Sequence, residues 1–370
     1  MKLRILATLI CVCMLLIINN EPVQCQKSTE NSSKTSVSIK GEKFYINGKP
    51  TYENREWKEV SIEGLLMNAR LVQGIFDDSN PKTVNGFKYP DTGIWDPDRN
   101  TREFVDAMSS WKNHGLLAFT LNMQGGSPLG YGNKGWKNTA YQKNGELKKA
   151  YIDRLKLILD EADRLEMVVI LSYFYFGQDQ HLENEEAVIN AVDNITSWVL
   201  KKNYQNVIIE LNNECNINYD HAILQPERVH ELIDRVAQTK YRGRRLLVST
   251  SYGGGTLPKE NVVSSSDFIL LHGNGMSDPA RIPKLVEATR NVSGYTPKPI
   301  LFNEDDHFDF DKPSNNFVEA LKSYASWGYF DYRMGNESFE NGFQSVPVDW
   351  TISSPRKKAF FNKLKEITGY

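Results

Sequence analysis

Apolar runs alternate with amphipathic stretches along most of this chain. Eight short runs are rich in Val, Ile, Leu and Phe: Leu65 to Val72, Leu116 to Leu121, Val168 to Tyr173, Val207 to Asn213, Leu246 to Ser251, Phe268 to His272, Ile300 to Asn303 and Tyr329 to Arg333. They read as buried strands. Helical periodicity occupies the gaps, over Thr101 to His114, Glu146 to Leu165, Glu185 to Lys201, Pro226 to Tyr241, Pro279 to Asn291 and Ser314 to Trp327, and closes the chain over Pro355 to Ile367. Between Ser251 and Asp267 the sequence is Gly/Ser-rich and predicts only a degenerate helix. Ahead of the first run, Phe44 to Tyr52 holds two short aromatic segments around Asn47-Gly48, the signature of a β-hairpin.

Eight strands, each followed by a helix or its remnant, is the count of a (β/α)8 barrel, an α/β TIM barrel with an N-terminal hairpin. An open doubly wound sheet would want a Gly-rich phosphate turn after its first strand, and Leu65 to Val72 has none. No linker separates a second domain, so residues 39–370 read as one barrel.

The first residues concern destination. Lys2 and Arg4 precede an uncharged, mostly apolar run from Ile5 to Ile18, too short to span a bilayer, so residues 1–25 read as a secretory signal peptide. A lipoprotein acylated at Cys25 ranks second, because Gln24 stands where a small residue is expected. The polar stretch 26–38 reads as a disordered leader. Of four cysteines only Cys215 lies beyond the signal, which leaves no internal disulfide. Asn31, Asn194, Asn291 and Asn336 begin N-x-Ser/Thr triplets, which do not by themselves settle glycosylation. With 44 Lys+Arg against 46 Asp+Glu the chain lacks the basic surface of a nucleic-acid binder. We expect a secreted monomer with no membrane span.

In such barrels chemistry gathers at the carboxyl ends of the strands. Here those ends carry Asn122, Asn213-Glu214, His272-Gly273-Asn274 and Asn303-Glu304. Strand alternation places Ile208, Glu210, Asn212 and Glu214 on one face. Glu210, inside the apolar part of its strand, needs a buried partner, and Arg70 on the first strand is the expected one. Glu214 and Glu304 end the fourth and seventh strands and face each other across the barrel mouth. This suits glycoside cleavage, in which one carboxyl protonates the leaving oxygen and the other attacks the anomeric carbon.

The segment Val207-Ile-Ile-Glu210-Leu-Asn-Asn213-Glu214 resembles the strand-4 signature of the clan A, or 4/7, glycoside hydrolases. Pro299-Ile-Leu-Phe-Asn303-Glu304 is similar to their strand-7 nucleophile segment, His272 matches a strand-6 His of many members, and the hairpin resembles one that plugs the barrel floor. The resemblance spans about Val37 to Gly369 and implies a retaining β-glycoside hydrolase acting on a poly- or oligosaccharide, with no cofactor. It makes Glu214 the acid/base, with a raised pKa, and Glu304 the nucleophile. Asn213, His272, Asn122, Tyr173, Arg70 and Trp350 then serve as substrate-binding candidates.

The chain also departs from that pattern. Cys215 replaces a Pro, Asp305-Asp306 replaces an aromatic and Gly, and no Trp ends strand 8, for which Tyr332 or Trp350 is the expected substitute. Cys215, next to Glu214, reads as packing. Glu304, Asp305, Asp306, Asp309 and Asp311 lack the spacing of a calcium loop and read as a solvated acidic loop, and no catalytic metal is expected. An inactive carbohydrate-binding barrel and a different barrel enzyme remain the rival readings. Sugar, linkage and endo or exo action are open.

Overall fold

The computed structural model describes residues 35–131 and 135–370. The expected signal peptide, with Cys11, Cys13 and Cys25, lies outside the described residues, as does most of the expected leader. The described end of that leader is structured. Val37–Lys40 forms β1, and Thr35 is buried with its hydroxyl on the Asp163 carbonyl.

β1 pairs antiparallel with β2 (Lys43–Ile46), which turns through Asn47 and Gly48 into β3 (Lys49–Pro50). Both turn residues have positive φ, 53° and 79°, as a two-residue hairpin turn requires. A second small ribbon, β4 (Glu56–Trp57) and β5 (Val60–Ser61), follows. The meander packs at the amino ends of the barrel strands. Val37 N–H bonds the Gln205 carbonyl, the Thr51 hydroxyl bonds the Leu65 carbonyl, and the Phe44 ring meets Phe268 edge-on. Phe44 is fully buried, so the hairpin closes the floor.

The barrel strands are β6 (Asn68–Arg70), β7 (Ala118–Asn122), β8 (Val168–Tyr175), β9 (Val207–Asn213), β10 (Leu247–Ser249), β11 (Ile269–His272), β12 (Ile300–Glu304) and β13 (Gly328–Tyr329). Seven lie on the expected apolar runs, and β13 overlaps its expected run, Tyr329 to Arg333, only at Tyr329. Six form one parallel sheet in the order β10-β9-β8-β7-β6-β13, and β11 pairs with β12. Bridges Leu301↔Ser326 and Asp305↔Tyr329 join β12 to the β13 segment. Between β10 and β11 the join is thinner: Asp267 N–H bonds the Val248 carbonyl while its carboxylate takes the Val248 N–H. Together these close a (β/α)8 barrel.

The outer layer is α1 (Pro97–Lys112), α2 (Lys149–Arg164), α3 (Glu185–Lys201), α4 (Val229–Gln238), α5 (Glu260–Ser265), α6 (Arg281–Arg290), α7 (Asn316–Lys322) and α8 (Pro355–Thr368). Asp96, Asn184, Asn315 and Ser354 cap α1, α3, α7 and α8 through their side chains. The weak member is α5, six residues long, as the Gly/Ser-rich stretch foretold. No helix among the described residues is long and apolar enough to cross a membrane.

Candidate active site

The β8–β9 ladder keeps one register from Val169↔Val207 to Tyr175↔Asn213, and one local irregularity shapes the mouth. In β11 the register shifts between Leu271 and His272, which sets His272 level with Glu304. Gly273 then crosses so close to the next strand that a Cβ there would collide with the Asp305 carboxylate, while its N–H bonds the Glu304 carbonyl. Glu214, one residue beyond β9, takes a left-handed backbone with φ 51°.

These features bring three groups together. A carboxylate oxygen of Glu214, one of Glu304 and a ring nitrogen of His272 lie within 4.8 Å of one another. His272 Nδ1 is 3.0 Å from Glu214 Oε1 and 3.6 Å from Glu304 Oε2. Arg70 Nε lies 2.8 Å from Glu304 Oε2, and Asn274 Nδ2 donates to Glu304 Oε1 at 2.6 Å. The same amide donates to the Tyr131 hydroxyl.

Burial raises the Glu304 carboxyl above its ordinary pKa, against the pull of the Arg70 and His272 charges. It pushes Glu214 the same way, but the His272 hydrogen bond and charge, with Arg70, outweigh it and leave Glu214 lowered. His272 is raised: burial opposes its charged form, and the anions of Glu304 and Glu214 prevail. The directions of the two glutamates are therefore the reverse of those expected, with Glu214 lowered beside His272 and Glu304 raised by burial.

A cavity of about 790 Å³ opens over the pair, lined by both glutamates, Tyr131, Trp136, Tyr175, Phe176, Gln178, His181, Asn218 and Gln344 among others. Tyr175 and Phe176 stack with centroids 4.3 Å apart, and Trp136 lies 6.4 Å from Tyr175. Such an apolar wall suits the flat face of a sugar ring.

Of the eight expected site residues, only Glu214 and Glu304 line this cavity. Arg70 and His272 sit behind them, buried. Arg70 pairs with Glu304, not with Glu210, whose Oε1 instead accepts from the Ser251 hydroxyl and the Asn303 amide. Tyr173 is no sugar platform, because its hydroxyl bonds Thr196 of α3 in the helix layer. Trp350 is core, stacked on Phe343 with its indole N–H on Asn100. Asn122 and Asn213 are buried and do not line the cavity. Asn212 does not join the face of Glu210 and Glu214; its amide bonds the Leu224 carbonyl and the Thr250 hydroxyl.

Tyr175, which shares a face with Tyr173 and is the other candidate to stack on sugar, lines the cavity, while Trp136, Tyr131 and Asn274 are not singled out as site residues from the sequence. Their signal was present in the aromatic loop after the second strand and in the polar end of the sixth. Cys215 is packed in the core, and burial pushes its thiol up to about 12. The acidic run after Glu304 is not a solvated loop at its start. Asp305 is fully buried and accepts from Trp327, Asn316 and His307. Asp305, Asp306 and His307 have the proximity of cation ligands, but those bonds already occupy the Asp305 carboxylate. The Glu214, His272 and Glu304 trio has that proximity too, with the Arg70 guanidinium standing where it would repel a cation.

No family model and no curated protein matches this chain. Solved structures do. It is similar to the endo-1,4-beta-mannanase from Rhizomucor miehei, at 12% identity and a TM-score of 0.56, covering 90% of this chain and 99% of that one. A glycoside hydrolase family 5 protein from Bacteroides vulgatus is 13% identical with a TM-score of 0.54, covering 90% and 70%. Against another Bacteroides vulgatus protein, at 13% identity and a TM-score of 0.50, this chain spans 60% of the other's length. Sequence identities this low carry the architecture alone, and that architecture is the TIM barrel on which clan A glycoside hydrolases are built.

Proposed function

We propose that the protein is a secreted, monomeric, retaining β-glycoside hydrolase acting on a poly- or oligosaccharide. The carrying observation is the pair of carboxylates, Glu214 and Glu304, with oxygens within 4.8 Å at the base of an aromatic-walled cavity. Retaining enzymes hold their carboxyls about 5–5.5 Å apart, and inverting ones leave about 6.5–9.5 Å for a water between them. The barrel architecture shared with family 5 glycoside hydrolases supports the same reading.

The reaction then runs as a double displacement. The proton on His272 Nδ1 passes across its 3.0 Å bond to Glu214, which delivers it to the leaving oxygen. Glu304, held charged by Arg70 and aimed by Asn274, attacks the anomeric carbon and forms a glycosyl ester. Glu214, now a carboxylate, takes a proton from water, whose oxygen displaces Glu304 and restores the original configuration. Trp136, Tyr175 and Phe176 bind sugar rings next to the cleaved bond.

NMR of the first-formed anomer on an aryl β-glycoside or a polysaccharide that is cut tests this. Retention is expected, with turnover abolished in Glu304→Gln. Glu214→Ala should keep its first step on substrates with good leaving groups and, with azide, yield the β-glycosyl azide. An inverted product would overturn the assignment.

A further inference from the structure

Glu210 is fully buried in the middle of β9, level with Ser172 of β8 and Ser249 of β10, and no Lys or Arg among the described residues forms an ion pair with it; the basic group nearest to it is the His272 ring. A buried carboxylate in that position is costly unless it organises its surroundings. Its contacts are few and specific. Oε1 accepts the Ser251 hydroxyl at 2.6 Å and the Asn303 amide at 3.1 Å. Oε2 has no hydrogen-bond partner among the described residues, and neither has His272 Nε2, which lies 3.9 Å from Glu210 Oε1.

Each contact leads to the mouth. The Ser251 oxygen that donates to Glu210 also accepts the Glu214 N–H at 2.9 Å, and Glu214 is the residue with the left-handed backbone. Asn303 immediately precedes Glu304. His272 touches Glu214 through its other nitrogen.

We propose that Glu210 is a positioning residue for both catalytic carboxyls: through Ser251 it holds the strained backbone at Glu214, through Asn303 it seats the strand that ends in Glu304, and its charge faces the His272 imidazole. This rests on the reading of Glu214 and Glu304 as the catalytic pair. The groups facing His272 are Glu214 and Glu210 from β9 and its end, Glu304 from β12, and Arg70 of β6 beyond Glu304. Three anions thus surround one imidazole, and removing the lowest weakens its hold on the proton that Glu214 needs. The raised affinity of His272 for a proton draws on all three.

Two variants separate the roles. Glu210→Gln keeps an acceptor oxygen for Ser251 and Asn303 and removes the charge, while Ser251→Ala keeps the charge and releases the Glu214 N–H. Nitrogen-15 NMR titration of the His272 ring, assigned against His272→Gln, reads the electrostatic role without any substrate. In Glu210→Gln its midpoint should fall by about one pH unit or more, and the high-pH limb of kcat should move down with it while KM holds. In Ser251→Ala the His272 titration should stay in place and kcat should fall about tenfold, as expected of a misplaced acid. An unmoved His272 midpoint in Glu210→Gln, or a full kcat in Ser251→Ala, would overturn the proposal. If the wild type cleaves no glycoside, the catalytic reading fails by itself, and the titration still decides whether Glu210 governs His272.

Discussion

The two ends of this barrel are built from the same strands and could hardly differ more. At the floor, Phe44, Phe268 and Leu65 are buried, and the hydroxyls of Thr51 and Tyr52 donate to the carbonyls of Leu65 and Gly115. Towards the mouth, buried polar atoms of Thr120, Asn122, Ser172, Asn213 and Asn303 have no hydrogen-bond partner among the described residues. There Glu214 adopts a backbone that costs a non-glycine residue about 1–2 kcal/mol. The floor is where the chain is stabilised, and the mouth is where local stability is given up for placed charges.

That contrast can be broken from either end. The largest effect should come from the floor: Phe44→Ala should cost about 3–5 kcal/mol, seen as a lower denaturation midpoint with kcat per folded molecule intact. Next, Gly273→Ala should lower kcat about a hundredfold, because the added Cβ drives β11 away from Asp305 and shifts His272 against both glutamates. Melting curves should show a smaller change than kcat does; a stability loss without a kcat loss would place Gly273 with the floor.

A third test is pH. His272 binds its proton more tightly folded than at its ordinary value of 6.5. Its contribution to stability is therefore complete below pH 6.5 and is lost as pH rises through the folded pKa, at up to about 1.4 kcal/mol per pH unit. The stability gap between wild type and His272→Gln, measured by denaturant at a series of pH values, should narrow upward across that window. A gap that widens instead would reverse the sign. The smallest effect belongs to Tyr173→Phe, which loses one buried hydrogen bond to Thr196, about 1 kcal/mol, and should leave hydrolysis untouched. A rise in KM would return Tyr173 to the cleft.

Tyr173 also marks where the sequence stopped being legible. Strand positions follow from apolar runs, because burial of both faces leaves a dense hydrophobic imprint, and seven strands were visible that way, the eighth only at Tyr329. Glu214 and Glu304 were visible for the same reason, as carboxylates that end such runs abruptly. Alternation puts Tyr173 and Tyr175 on one face of β8, and it does not say which of the two meets the helix layer and which the cleft. Tyr173 turns outward while Tyr175, two residues on, lines the cavity. The partner of Arg70 escaped for a different reason. Glu210 and Glu304 are both plausible from composition, and only the register of four strands decides between them. Trp350 misled because a tryptophan near the last strand reads alike whether it faces sugar or Phe343.

The floor also sets the order in which the molecule can be finished during synthesis. β1 emerges among the first described residues, yet its Val37 N–H pairs with the Gln205 carbonyl, and Phe44 waits for Phe268. Arg55 waits longest, for its guanidinium bonds the carbonyls of Glu366 and Ile367 in α8. The plug is thus translated early and seated late, and some three hundred residues must leave the ribosome before its last contact exists. Through that interval Phe44 and Arg55 lack the ring and the carbonyls that they meet in the finished barrel.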